Sequence, residues 1–313
     1  VSSPRDKGTD AVGTRIVRVA DGVINAAILV ALTALLAFGA YAVWDADQVN
    51  EGASSDRWSE YKPTQTMSLS EIQSVNPDII GWVEIYGTGI DYPIAHCADN
   101  ETYVNHDALG DYSLTGCPFL DRAAPADFSA FDNIVYGHHM EAPVMFGELG
   151  DFDDASYFES HEYGTIWYDG SLHGLTIIAA ADVDAYDQGV YSIVDSGGSA
   201  AQAYLERAYA SASQSRQVGT TSSDHLVVLS TCASGTGNAR HVLLCQITDD
   251  VQPDPFATQD TASSVPKSNP FMQLPWWLWV ILAILVAALV DRAITHWRLR
   301  RMRRRAEKDD LRA

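Results

Sequence analysis

Hydrophobic and polar positions divide the chain into two long apolar runs and a patterned middle. Val23 to Trp44 carries no charge and only Asn25 and Thr33 as clearly polar interruptions. At about 1.5 Å per helical residue that length spans a bilayer. Phe271 to Val290 is a second charge-free run, with Trp276, Trp277 and Trp279 at its front edge, where an aromatic belt sits in a membrane helix. Between them the apolar stretches are short, β-branched and bounded by Gly, Pro and Asn. Strands are expected at Gly81 to Tyr86, Ile90 to Ala95, Cys117 to Leu120, Phe131 to Tyr136, Thr165 to Tyr168, Leu175 to Val183, Leu226 to Cys232 and His241 to Ile247. Gly87-Thr88-Gly89 reads as a hairpin turn, and Ala233 to Ala239, with Gly235, Gly237 and Asn238, as another.

Eight short strands with few helices predict a mainly β fold, a closed eight-stranded barrel. Ser68-Leu69-Ser70-Glu71 has the form of a capping box and starts a short helix to about Val75. Ala200 to Ala212 is the best long helix of the domain, and Phe146 to Ser160 holds one or two shorter ones. The order expected is a cytoplasmic tail (1–22), a transmembrane helix (23–44), a juxtamembrane stalk (45–67), the barrel domain (68–250), a Pro/Ser/Thr-rich linker (251–270), a second transmembrane helix (271–290) and a basic cytoplasmic tail (291–313). A cleaved signal peptide is the rival for the first apolar run, because Ala40-Tyr41-Ala42 has a small-x-small form.

Charge sharpens the topology. Residues 45–275 hold seven Lys/Arg against thirty-four Asp/Glu, whereas 276–313 hold nine against four. Arg298, Arg300, Arg301, Arg303, Arg304 and Arg305 put the C-terminal end inside, and Arg5, Lys7, Arg15 and Arg18 do the same for the N-terminal end. The acidic middle then lies outside the plasma membrane, and its sign argues against nucleic acid as a partner.

Two apolar strands end in chemistry-bearing residues. Leu229-Ser230-Thr231-Cys232 closes one, and Arg240 opens the next after a Gly-bearing turn. A thiol is nucleophilic as its thiolate and needs a neighbouring base or cation. Asn133-Ile134-Val135-Tyr136-Gly137-His138-His139-Met140, a third apolar run, supplies the histidine. Successive side chains in extended backbone point to opposite sides, so one of His138 and His139 reaches Cys232, and His241 faces away from Arg240.

This constellation resembles the sortase family. The Ser-Thr-Cys strand end, the Arg eight residues later and the upstream Gly137-His138 are its signature. Tyr-Gly-His-x-Met, Asn76-Pro77-Asp78-Ile79-Ile80-Gly81-Trp82, Ile90-Asp91-Tyr92-Pro93, Asp99-Asn100 and Met145-Phe146-Gly147 look like class B, over residues 68 to 248. The resemblance implies a sortase-like barrel and a cysteine transpeptidase in which Cys232 forms a thioester, His138 moves the proton and Arg240 holds the oxyanion. His138 is the histidine that the family pattern selects, and Ser230, Thr231 and the Ala233 N–H are candidate substrate contacts. The implied partners are sorting-signal-bearing surface proteins or pilins, with a cell-wall precursor or pilin amine as acceptor. A class B pattern implies an Asn-Pro-x-Thr-Asn-like signal. The second membrane helix is more a class C feature, and no Asp-Pro-aromatic lid precedes the domain. Asp254-Pro255-Phe256 has those letters but follows the last strand.

Transpeptidation to the wall is the first reading, with pilus polymerisation, a cysteine protease using water, and a displayed non-catalytic domain as alternatives. No cofactor is expected. Asp151, Asp153 and Asp154 lack the Gly and terminal Glu of an EF-hand and read as a helix start, so no metal is assigned. Cys97 and Cys117 are open to either a disulfide or two free thiols, and Cys245 reads as core.

Overall fold

The computed structural model describes residues 7–63, 69–232 and 237–257, leaving out the side chains of 7–15, 18 and 232. The expected second membrane helix, the basic tail, Ser68 of the capping box and Ala233 lie outside the described residues.

Nine strands form one sheet: β1 (Ile79–Ile85), β2 (Asp91–Ala95), β3 (Phe119–Leu120), β4 (Asp132–Gly137), β5 (Tyr163–Tyr168), β6 (Ser171–Asp184), β7 (Gln214–Ser215), β8 (Leu226–Cys232) and β9 (Ala239–Thr248). Their order is β5-β1-β2-β3-β4-β8-β9-β6-β7, and β5 also pairs with β6. That last pairing closes a ring of eight strands. β7 is an extra two-residue strand on the outside of β6, held at Ala179 and Ala180, and its Gln-Ser sequence has no apolar signal. β6 runs fourteen residues, five longer than its apolar stretch, because it serves β5 at one end and β9 along most of its length.

The ring encloses a core of Trp82, Tyr92, Ile94, Leu120, Phe128, Val135, Phe146, Phe152, Ile166, Val227, Leu229 and Leu243, among others. The other faces of β4, β8 and β9, with Ile134, Val228 and Leu244, pack under α4 (Ser199–Ser211) through Ala201, Tyr204, Leu205 and Ala208. This two-sided burial explains why these strands read as continuous apolar runs rather than alternating ones. α2 (Ser70–Val75) precedes β1; a 3-10 turn at Gly147–Asp153 and α3 (Ala155–Ser160) fill the expected 146–160 region. Asp154 caps α3 by accepting from the Ser156 and Tyr157 N–H groups, the helix-start role expected of that aspartate.

α1 runs unbroken from Lys7 to Ala53 and contains the first apolar run. It is long and apolar enough to cross a membrane, and its most apolar window is unburied. The folded packing extends into the segment expected as a stalk (45–67). Ala53 is buried, its carbonyl accepts from Tyr92 Oη at 2.8 Å, and Trp58 of the following 3-10 turn is 5% exposed in the barrel core. Arg57 bonds Asp107 at 2.9 Å. The packed unit therefore starts some fifteen residues before the boundary drawn at 68, because two apolar side chains and a salt bridge outweigh the polar composition around them. The start of the linker also packs: Phe256 lies on His161 with ring centroids 4.9 Å apart, and Tyr86 Oη donates to the Gln252 carbonyl.

Candidate functional site

Three adjacent strands end at one rim. β4 and β8 are parallel, with Gly137 opposite Thr231, which sets His138 one step beyond, beside Cys232. β8 and β9 are antiparallel, with Cys232 opposite Arg240. Cross-strand partners project on the same face of a sheet, so this register puts His138 and Arg240 on one side of the strand ends, on either side of the backbone of residue 232. His139 and His241 alternate to the other.

A cleft of about 340 Å³ opens on the first side. His138 and Arg240 line it, with Ser230 and Thr231 at its floor and Tyr103, Val104, Phe119, Tyr136 and Tyr191 as apolar and aromatic walls. Ser230 is buried and shares a 2.8 Å hydrogen bond with Tyr191 Oη, whose ring stacks on Tyr136. Thr231 Oγ1 is buried with no partner among the described residues. His139 and His241 do not line this cleft. A second, shallower concavity of about 420 Å³ beside Asp151, Asp154 and Tyr157 contains none of the expected site residues.

His138 is half-buried, and its Nε2 lies 2.7 Å from the Val104 carbonyl. A carbonyl only accepts, so Nε2 carries the proton in this bond. Val104 belongs to the 102–117 loop, which the Asn76-Pro77-Asp78 motif anchors. Tyr103 Oη bonds Asn76 Oδ1 and Asp78 Oδ2, and Asn76 Nδ2 donates to the Ala108 carbonyl. Asp99 caps the same loop through the Glu101 and Thr102 N–H groups, and Asn100 donates to Asp121, which also receives Tyr136 Oη. Burial and the Asp121 carboxylate push the Tyr136 hydroxyl well above its ordinary pKa, so it stays a neutral donor.

The glycine before His138 has a steric cause. A Cβ on Gly137 would lie 2.6 Å from the Phe146 ring, and Phe146 N–H donates back to the His138 carbonyl. Met145 N–H in turn donates to Tyr92 Oη, so the Met-Phe-Gly and Ile-Asp-Tyr-Pro segments meet under the histidine. Arg240 makes one hydrogen bond among the described residues, from Nη1 to the Ala239 carbonyl at 3.0 Å. Cys97, Cys117 and Cys245 are free thiols. Burial raises the pKa of Cys117 and Cys245, which are inert packing groups.

Sequence reasoning missed Tyr191, Val104 and Tyr103. They come from loops remote in the chain, and no local pattern marks them.

No family model matches the chain. Sortase B of Listeria monocytogenes is 27% identical over 165 residues, 52% of this chain, and the match spans 66% of that protein's length. Among solved structures, sortase B from the type II pilus of Streptococcus pneumoniae is 38% identical, with a TM-score of 0.52 over 58% of this chain and 99% of its own. A Streptococcus pyogenes class B sortase involved in pilus biogenesis is 31% identical, with a TM-score of 0.53, 59% of this chain and 100% of its own. By this identity and coverage the chain belongs to the class B sortases.

Proposed function

We infer that the protein is a membrane-anchored cysteine transpeptidase that cleaves a sorting signal on a surface protein and passes the acyl group to an amine. The observation that supports this reading is the register of β4, β8 and β9, in which Gly137 lies opposite Thr231 and Cys232 opposite Arg240, so the three strand ends meet at one rim.

Cys232 attacks the carbonyl carbon of the scissile peptide, the amine side leaves, and a thioester holds the acyl part. His138 protonates the leaving amine and takes a proton from the incoming one, since imidazole works in both directions near neutral pH. Arg240 holds the oxyanion by charge-assisted hydrogen bonds, and its planar fork also fixes the substrate's orientation. The Ala233 N–H is a further oxyanion donor in this scheme, and Ser230 and Thr231 contact the peptide at the cleft floor. The helix of 23–44 anchors the enzyme, with the acidic domain outside and both termini inside. The signal is of the Asn-Pro-x-Thr-Asn class, and the acceptor is a cell-wall amine.

A second reading, joining of pilin subunits, is favoured by the two streptococcal relatives, both named for pili. Product analysis of the full chain in detergent micelles decides among acceptors. With sorting-signal peptide and a wall-type oligoglycine or diamino-acid amine, an amide-linked product supports wall transfer. Product only with a pilin lysine peptide supports polymerisation, and product only with water makes the protein a protease.

A further inference from the structure

Behind the rim, on the face opposite Arg240, four elements bring metal-binding side chains together. Asp182 of β6 and His241 of β9 are register partners, and Asp182 Oδ1 lies 2.5 Å from His241 Nδ1. Asp153, the last residue of the 3-10 turn, completes a set whose donor atoms all lie within 4.8 Å of one another. Asp153 is fixed in place, since its carboxylate accepts from the Ser213 hydroxyl and its carbonyl from Gln214 Nε2 at 2.9 Å. Among the described residues no Lys or Arg pairs with either carboxylate. His139, one residue past His138, stands next to this set without being within its 4.8 Å limit. Its Nδ1 is buried with no hydrogen-bond partner among the described residues, and its ring centroid lies 6.1 Å from that of His241.

We propose that Asp153, Asp182, His241 and His139 form a site for a first-row divalent cation of the zinc type on the reverse face of the active-site strand ends. Two carboxylates and two imidazoles suit such an ion, whereas Ca²⁺ and Mg²⁺ require six or more oxygens. With Zn–N bonds of about 2.0–2.1 Å, two imidazoles on one tetrahedral ion place their centroids roughly 5 Å apart and their donor atoms roughly 3.4 Å apart. The observed centroid separation of 6.1 Å is about 1 Å longer, so the two rings must close on the ion. Binding draws Asp153 and His139 inward and replaces the proton shared by His241 and Asp182; Asp182 is solvent-exposed and free to make that adjustment. The ion then ties β6, β9, the end of β4 and the 3-10 turn together directly behind His138 and Arg240, and it accounts for a buried imidazole nitrogen that otherwise has no partner.

The test uses the full chain in detergent micelles, stripped of metal, with Cys232→Ala as background so that the thiol cannot bind the ion. Zn²⁺ alone is titrated by calorimetry and by thermal melting, and Co²⁺ by its visible d–d absorption. The expected result is one Zn²⁺ per chain, a higher melting temperature, and a tenfold or greater loss of affinity in both Asp182→Asn and His241→Gln, with the Co²⁺ spectrum altered in His241→Gln. Absence of binding at millimolar zinc, or binding unchanged in the folded Asp182→Asn/His241→Gln double variant, overturns the proposal.

Discussion

Arg240 stands directly across the β8–β9 ladder from Cys232, so strand register holds the two positions together without help from any loop. The pairing is fixed by seven consecutive register partners from Leu226–Gln246 to Cys232–Arg240. Arg240→Lys retains the charge but loses the bidentate fork. A fall in kcat/KM of about 10²-fold or more is expected, the range for loss of an oxyanion donor, with the melting temperature unchanged. Steady-state kinetics on a fluorogenic sorting peptide, paired with a thermal melt, checks it.

The two histidines after Gly137 are expected to separate cleanly. His138 lines the cleft and His139 turns to the opposite face. His138→Gln is expected to lose about 10²- to 10⁴-fold in rate, the range for removal of a general acid–base group, and His139→Gln to stay within a few-fold of the parent. Equal losses in the two variants would reverse the face assignment.

Trp58 predicts that the segment after α1 belongs to the folded unit. It is buried in the barrel core with the Arg57 guanidinium 4.6 Å over its ring. Trp58→Ala is expected to cost about 3–5 kcal/mol of stability, as for other aromatic core truncations. Denaturant unfolding of the full chain in micelles measures it; a cost below about 1 kcal/mol would make the segment a loosely attached stalk.

Asp132 predicts a pH dependence of stability. It opens β4, is fully buried, accepts the Val194 N–H at 2.7 Å through Oδ1, and has no partner for Oδ2. Burial pushes its pKa up to about 7. Because the folded state holds this proton more tightly than the unfolded chain, the contribution is full below about pH 4 and is lost as pH rises to about 7. A shift of about three units corresponds to a loss on the order of 4 kcal/mol across that window. Asp132→Asn, which keeps the acceptor to Val194 and cannot ionise, is expected to flatten the slope in melts recorded between pH 4 and 7.5. An unchanged slope would assign it to other groups.

Strands β4 and β8 are legible in the sequence because they are buried on both faces, so apolar runs mark their length and the polar residues that follow mark their ends. Gly137 was legible as motif, but its reason, the Phe146 ring against its Cα, is a tertiary contact. β7 was invisible, since Gln214 and Ser215 pair with β6 by backbone alone. The reverse-face cluster was invisible for another reason. Asp153, Asp182 and His241 lie on three elements tens of residues apart, and only strand register brings them together. Composition misled around Trp58, where a polar stretch hides two anchoring side chains.

The central claim, that Cys232 is the acyl-accepting nucleophile, is tested most directly by intact mass. The full chain in micelles is incubated with an Asn-Pro-x-Thr-Asn-type peptide, beside Cys232→Ala. The account predicts an adduct of the acyl fragment's mass on the parent only, released by an added amine as a ligated product. An adduct of equal yield on Cys232→Ala, or none on the folded parent with any sorting peptide, would contradict it.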